Sequence, residues 1–389
     1  MVPGDCPGTR RASARHREPP EETATPMKLF ECQVCGNALY FENIYCEACD
    51  AVLGFVPGTE TLSALAAEGD GRWHALATPG SRHRFCANAE HGACNWLIPE
   101  DNEETRCSAC RLNRTIPDLS QPENWRRWHR LELGKHRLVY SLIRLGLPLA
   151  NKADDPDAGL AFDFLADPGP TFREGERVMT GHAQGLITIN LGEADDAERE
   201  RHRQDMAEPY RTLLGHFRHE IGHYYWERLV RDGSMLDPFR TLFGDERENY
   251  GTALQEHYAA GPPDGWAERY VSAYAAAHPW EDWAETFAHC LHIVDTLETA
   301  QAFGVRIEPG TANGGRDLAT GIDFDPYDEP DFDVLVRAWL PLTYAVNSLN
   351  RSMGQPDLYP FVLPPAVIEK LRFVHGALRA GRNTAVGQP

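Results

Sequence analysis

Apolar and polar positions alternate at helical spacing in five stretches of this chain. After a break at Pro117–Pro122, the pattern predicts a helix from about Glu123 to Leu145. A second helix is expected from Pro209 to Asp232. Pro209 suits a first helical position, Asp205 and Glu208 suit the positive end of the dipole, and Gly233 suits the stop. A third begins at Pro279, a fourth covers Asp333 to Arg351, and a last one runs from Pro365 to Ala380. Between the first two helices the spacing changes to period two. Ile187, Ile189 and Leu191 alternate with Thr188 and Asn190, so 186–191 reads as a strand. Arg177 to Thr180 pairs with it across a turn at Gly185, and Phe162–Leu165 is a further short strand. The fold class is therefore α+β, mainly helical with a small β-sheet.

Composition narrows the classes. The chain has 389 residues, 42% of them hydrophobic, enough for a sizeable core, and a net charge of −20. That balance argues against bulk electrostatic binding of nucleic acid, which needs Lys and Arg to neutralise phosphates. A local nucleic-acid contact is left to the cysteine-rich region or to the basic helix near Trp125, where Arg126, Arg127, Arg130, Lys135 and Arg137 flank Trp125 and Trp128. The plainer reading of that helix is an amphipathic connector whose basic face is solvated or meets acidic neighbours. No apolar run reaches the roughly 18 residues a membrane helix needs, so no membrane span is expected. Residues 1–26 are rich in Pro, Arg, Glu and Thr, lack the apolar segment of a signal peptide, and are expected to be disordered; Met27 is a candidate start.

Nine of the ten cysteines precede residue 111. With no export signal, metal thiolates in a reduced, cytoplasmic protein are expected rather than disulfides. Cys32-x2-Cys35 and Cys46-x2-Cys49, ten residues apart, have zinc-ribbon spacing, because each knuckle presents two thiolates and two knuckles close a tetrahedron. Cys86, Cys94, Cys107 and Cys110 form a looser second quartet, in which His83 or His91 could replace a thiolate. Consecutive pairing gives two closed structural sites; pairing across the quartets is the alternative. Cys6 and Cys290 are left over, Cys290 as a small core residue.

His219-Glu220-Ile221-Gly222-His223 spells HExxH within the second helix. Two histidines four residues apart face one metal ion, and the glutamate between them can act on a water. At about 100° per residue His216 shares their sector, as a supporting or surface group. A third ligand is required, and Tyr224-Tyr225-Trp226 leaves no early third histidine. On the helix from Pro279, Glu281, Glu285, His289 and His292 share a stripe of roughly 80°. Either glutamate could complete the site, the other backing a histidine. Donors for a developing oxyanion could come from Tyr258, His257, His289, His292 or Tyr344.

Taken together, Phe30-Glu31-Cys32-Gln33-Val34-Cys35-Gly36, Cys94-Asn95-Trp96-Leu97, the HExxH run and Glu281-Asp282-Trp283-Ala284-Glu285 resemble bacterial zinc-binding metallopeptidases with an N-terminal zinc ribbon, a gluzincin-like group. The resemblance spans Met27 to about His375. It implies Glu281 as third ligand, Glu285 behind the first histidine, and Glu220 as general base. It also implies a peptide or protein substrate and three zinc ions. One is catalytic, on His219, His223 and Glu281; two are structural, on the cysteine quartets. The expected organisation is a disordered extension (1–26), a double zinc ribbon (27–117), a zincin-like domain with its connecting helix (118–380) and a disordered tail (381–389). The ribbon would serve substrate or partner contact. The competing expectation is an inactive zincin-like adaptor whose ribbons bind protein or nucleic acid.

Overall fold

The computed structural model describes residues 28–167, 178, 180–196, 212–310 and 315–385; the extension 1–26 lies outside them. The architecture is α+β as expected. Short strands β1 (Phe30–Glu31) and β2 (Ala38–Leu39) pair at the first cysteine knuckle. An antiparallel five-stranded meander follows: β3 (Leu53–Val56), β4 (Thr61–Gly69), β5 (Arg72–Ala75), β6 (Arg82–Phe85) and β7 (Leu97–Pro99), in the order β3-β4-β5-β6-β7. The sequence reading did not anticipate this sheet. Four of its strands have only three or four residues, and β3 and the first half of β4 are buried on both faces, so no period of two shows.

Helix α1 (Pro122–Arg144) joins this region to the rest. From Trp128 onward most of it is buried, charged Glu132, Lys135 and Arg137 included, and it serves two sides at once. On the ribbon side Tyr140 packs against Phe41 and Phe55, at ring-centroid distances of 5.3 and 6.1 Å, and His136 packs against Trp96 at 5.2 Å. One continuous core therefore runs from the cysteine knuckles into the helical domain. The basic residues of α1 meet acidic partners: Arg127 bonds Asp195, Arg137 bonds Glu42, and Lys135 bonds Glu132. This is the connector reading of the sequence.

The second sheet has the order β10-β11-β9-β8, from β8 (Asn113–Thr115), β9 (Ala161–Leu165), β10 (Gly181–Ala183) and β11 (Leu186–Asn190). β9 and β11 run parallel, whereas β10 and β11 form a hairpin. At its tip Gln184 and Gly185 both take positive φ, 49° and 79°, the signature of a tight turn that matches strand twist. The strand expected at 177–180 is thus displaced. Val178 and Thr180 are outside any strand and 177 and 179 lie outside the described residues, while the pairing starts at Gly181 because the two-residue turn fixes the register.

Helix α2 (Leu213–Trp226) carries HExxH. It starts later than Pro209, because Thr212 has extended backbone and its Oγ1 accepts the Gly215 N–H at 3.0 Å, an N-cap the sequence reading passed over. It ends in a single π-turn (Glu227–Arg231). Two helices the sequence reading missed, α3 (Leu236–Phe243) and α4 (Tyr250–Ala260), precede the long α5 (Pro279–Ala302). Pro279 occupies the first turn of α5, as expected. Helices α6 (Phe332–Ser352) and α7 (Pro365–Ala385) close the domain. Helix α7 continues past Ala380, so residues 381–385 are helical rather than part of a tail; 386–389 lie outside the described residues.

The site is positioned by two close helix approaches. A Cβ on Gly134 of α1 would sit 3.3 Å from the Phe217 ring of α2. On the other side, a Cβ on Gly222 of α2 would meet Ala284 Cα at 3.1 Å and Phe287 Cβ at 3.2 Å on α5. Glycine thus lets the Phe217 ring of α2 rest on the α1 backbone and brings the α2 and α5 backbones together at Gly222. Trp283 adds a bond from its indole Nε1–H to the Gly222 carbonyl, 2.8 Å long. Helix α7 braces α5 from outside through Lys370, whose ammonium reaches Asp282 Oδ2 at 2.5 Å.

The docking of α7 is testable through His375, which packs on Phe332 with ring centroids 5.4 Å apart. Burial, with the charge of Arg379 in support, depresses its pKa to about 4. A histidine depressed in the folded state contributes stability that is complete above its unfolded pKa of about 6.5 and is lost as pH falls toward the folded value. Urea midpoints of wild type and His375→Gln should therefore differ by a constant amount above pH 7. Below pH 6.5 the wild type should lose ground relative to the variant, by at most about 1.4 kcal/mol per pH unit. A difference that stays flat from pH 7 to pH 4 would contradict this packing.

Candidate metal centre

Three clusters of ligand-type atoms follow from this scaffold. Cys32, Cys35, Cys46 and Cys49 converge, and so do Cys86, Cys94, Cys107 and Cys110. The sulfurs of Cys32 and Cys49 are 3.7 Å apart, those of Cys35 and Cys46 3.6 Å, and those of Cys94 and Cys107 3.7 Å. Zinc–thiolate bonds of about 2.3 Å in a tetrahedron place sulfurs about 3.8 Å apart, so both quartets fit one zinc each. The groups are consecutive in sequence, and all eight ligand positions are cysteine. His83 is buried on β6 outside the cluster, and the His91 ring packs on Trp128 at 6.1 Å.

Against the second quartet, Cys110, Glu132 and His136 make a further convergence. Its charge is already met by protein. The Lys135 ammonium bonds both Glu132 oxygens at 2.9 Å and also reaches Asn113. His136 Nε2 lies 3.6 Å from the Cys110 sulfur, while its Nδ1 faces the Glu132 carbonyl at 2.7 Å. These α1 groups support the quartet from the helical side. Cys290 lies buried in α5 away from all clusters, its thiol pushed up to about 12 by burial, as a packing residue.

The third cluster joins His219 and His223 of α2 to Glu281 of α5. The two Nε2 atoms are 3.2 Å apart. Glu281 Oε2 lies 3.0 Å from His219 Nε2, and Oε1 lies 3.6 Å from His223 Nε2. All three residues are buried, Glu281 to 1% exposure. Glu285, one turn on, is on the other side of the His219 ring. Its Oε1 faces Nδ1 at 2.7 Å, and its Oε2 accepts the Ser272 hydroxyl at 2.6 Å. The geometry thus separates the two glutamates: Glu281 shares the convergence point and Glu285 orients the ring.

Electrostatics supports a cation there. Two imidazole nitrogens and a carboxylate turned toward one another in a buried space need positive charge between them. Glu281 Oε2 is buried with no hydrogen-bond partner among the described residues. In the protein alone that positive charge is a proton. Burial opposes it, but the Glu281 and Glu285 carboxylates outweigh burial and raise the His219 pKa well above its ordinary value. Burial likewise works against the charge on Glu285, yet the bond from His219 brings its pKa to about 2. The donor set, two imidazoles and one carboxylate with a backing carboxylate, is the one zinc takes in hydrolytic sites.

Glu220 is buried beside the cluster, and His216 Nε2 faces its Oε1 at 3.1 Å. Desolvation is opposed first by that contact, and the Glu220 pKa is lowered. His216 is therefore a supporting group rather than a surface one. The wall of the site comes from residues the sequence reading did not single out. Tyr250 of α4 donates to Glu281 Oε1 at 2.6 Å. The Trp280 ring lies 4.0 Å from that of His223, and Tyr274 lies 5.9 Å from His219. His182 of edge strand β10 stacks on His223 at 6.2 Å. Its Nε2 accepts the Gly185 N–H at 2.9 Å, and burial depresses its pKa to about 3. No spacing rule links these positions to HExxH; only the fold does.

The expected oxyanion donors divide. The His257 ring of α4 reaches Tyr274 at 6.1 Å rather than the cluster itself, and Tyr258 beside it is 58% exposed. His289 is turned to Tyr359, whose oxygen is 2.7 Å from its Nδ1, and His292 is turned to Arg218 at 2.6 Å. Tyr344 is 64% exposed on α6, with no contact that ties it to the cluster. The polar stripe on α5 is thus real only in its first half. The second half is a set of buried structural contacts.

Residues 124–377 match the family model described as "Putative zinc-binding metallo-peptidase", and residues 29–121 match a zinc-ribbon domain. An uncharacterised protein of Mycobacterium bovis is 44% identical over 350 residues, covering 90% of this chain and 94% of that protein. Uncharacterised proteins from two strains of Mycobacterium tuberculosis match to the same extent. No solved structure matches. Among the described residues no helix is long and apolar enough to cross a membrane.

The helix approach at Gly222 predicts a site-selective defect. Gly222→Ala gains about 1 kcal/mol of helix propensity but forces α2 and α5 apart, an overpacking cost of about 1–3 kcal/mol. Wild type should bind three zinc ions per chain, two resistant to mild chelation and one labile. The variant should keep the resistant pair and bind the labile ion more weakly. Elemental analysis during chelator titration reads this directly, and a variant whose three ions behave as in wild type would refute it.

Proposed function

Because the chain belongs to the zinc-binding metallopeptidase family and carries an N-terminal zinc ribbon, we propose that it hydrolyses peptide bonds at the His219–His223–Glu281 centre, with Glu220 as general base. The observation that carries this reading is the buried convergence of His219 Nε2, His223 Nε2 and the Glu281 carboxylate beside Glu220. Zinc in that set would act as electrophile toward the scissile carbonyl and make a water acidic enough to attack near neutral pH.

The protein groups then have distinct tasks. Glu281 supplies negative charge to the centre, and its Oε1 is fixed by the Tyr250 hydroxyl. Glu285 accepts from His219 Nδ1, which leaves the Nε2 lone pair for the metal side. Glu220, its pKa lowered, is ionised at neutral pH and can take the proton of the attacking water and pass it to the leaving amine. Strand β10 is at the sheet edge beside His223, where an extended peptide can add by backbone bonds. Tyr250, bonded to Glu281, and Tyr274, 5.9 Å from the His219 ring, line the site and could meet a developing oxyanion. The two cysteine quartets are closed and hold structure rather than chemistry.

Glu220→Gln should retain all three metals and its fold while losing hydrolysis by about 10²–10⁴-fold. A proteome-derived peptide library, profiled for new termini with wild type and with the variant, measures this. Equal cleavage by the variant would overturn the role of Glu220. Absence of cleavage by metal-replete wild type would favour the adaptor reading.

A further inference from the structure

The base itself is held by a second buried carboxylate through a histidine. Glu193 lies in the short 3-10 turn Leu191–Ala194 that follows β11, and it is 4% exposed. Its Oε2 is 3.4 Å from His216 Nδ1, in the first turn of α2. The other ring nitrogen, Nε2, is 3.1 Å from Glu220 Oε1, one helical turn further on. His216 is 12% exposed at its side chain and Glu220 7%, so the row is shielded from water. The ring can give its Nε2–H to Glu220, and the second carboxylate faces its Nδ1 side.

We propose that Glu193 and His216 form a positioning relay for Glu220, one that assigns its two carboxylate oxygens different tasks. The relay rests on the peptidase reading above. His216 pins Oε1 through its Nε2 bond, and the Glu193 carboxylate faces the Nδ1 side of the ring at ion-pair distance without a hydrogen bond, holding it by charge. Oε2 is then the oxygen that takes the proton from water and returns it to the leaving amine. A carboxylate free to rotate would share that task between both oxygens and lose part of its time to unproductive orientations. The anchor comes from the end of β11, so the strand beside the substrate edge and the helix of the base are set by the same contact. In this arrangement His216 acts through Glu220.

Two variants and two readouts test the relay. His216→Ala removes both contacts, whereas His216→Gln keeps a donor that can reach Glu220. The first readout is steady-state cleavage of a peptide that the wild type cuts. His216→Ala should lower kcat by about 10- to 100-fold, the worth of one hydrogen bond to a charged group, with KM, zinc content and melting temperature unchanged. His216→Gln should recover part of the loss. Glu193→Gln should show a smaller fall in kcat of the same kind. The second readout needs no substrate. Acetohydroxamic acid gives up its hydroxyl proton to a carboxylate as its anion binds zinc, so its affinity reports the orientation of Glu220. By calorimetry on the zinc-loaded full chain, His216→Ala should bind it about 10- to 100-fold more weakly than wild type. If wild type binds acetohydroxamic acid and His216→Ala binds it equally well, the relay is wrong and the peptidase reading stands. If wild type binds none, the metal-centre reading fails and the relay fails with it. A loss in KM or in zinc content, with kcat intact, would reduce His216 to a structural residue.

Discussion

The candidate centre depends on one steric condition, the near-contact of α2 and α5 at Gly222 and Ala284. HExxH by itself places two imidazoles and a carboxylate on one helix. Glu281, the third member of the cluster, is on another helix some sixty residues later, and to share a zinc ion with the imidazoles its carboxylate would have to come within about 2 Å of that ion. Side chains at the crossing would hold the axes at the usual 8–10 Å. A glycine facing an alanine lets the backbones close, and Trp283 secures the arrangement by bonding the Gly222 carbonyl. Glu281 then meets His219 and His223, while Glu285, one turn along, reaches behind His219. The x positions of the motif are therefore as constrained as the named ones, though for packing reasons.

What could be read from the chain follows from the range of the interaction. The CxxC knuckles and HExxH are local: ligand spacing of two or three residues is dictated by knuckle and helix geometry, so the sequence displays them, while the wider Cys86–Cys94 spacing leaves its partner open. Glu281 and Glu285 were readable because a helix converts spacing into a face, although spacing alone could not say which of them meets the metal. His289 and His292 shared that face in sequence yet serve Tyr359 and Arg218, because a straight helix passes from the centre into the core within two turns. Glu193, His182, Tyr250, Ser272 and Tyr274 were not readable at all. They arrive from turns, an edge strand and a short helix whose approach is set by tertiary packing. The start of α2 was misplaced for a related reason. Pro209 is a generic helix-start signal, whereas Thr212 makes the actual cap through one bond to Gly215.

The cysteine region is also less separate than its composition suggests. Its aromatic residues Phe41, Phe55 and Trp96 pack on Tyr140 and His136 of α1, and the same helix supports α2 through Gly134 and Phe217. Lys135, fully buried, bonds Glu132 beside the second quartet while its ammonium lies 5.6 Å from the Phe164 ring of the catalytic-side sheet. A break in composition at Pro117–Pro122 marks where the chain changes chemistry, not where the core ends.

Arg218 immediately precedes His219, and it faces away from the metal cluster. Its guanidinium bonds Asp295 and His292 of α5, and Asp295 is bonded in turn by Ser141 of α1 and by Tyr327. A helix tied on its rear face to both neighbours cannot roll about its own axis, and rolling is the motion that would swing His219 and His223 off their common target. The ordering entropy of the ligands is thus spent when the chain folds and not when the ion arrives. An ion held in this rigid socket would therefore leave more slowly than from a pliable site of the same three groups, though still sooner than from the closed cysteine quartets.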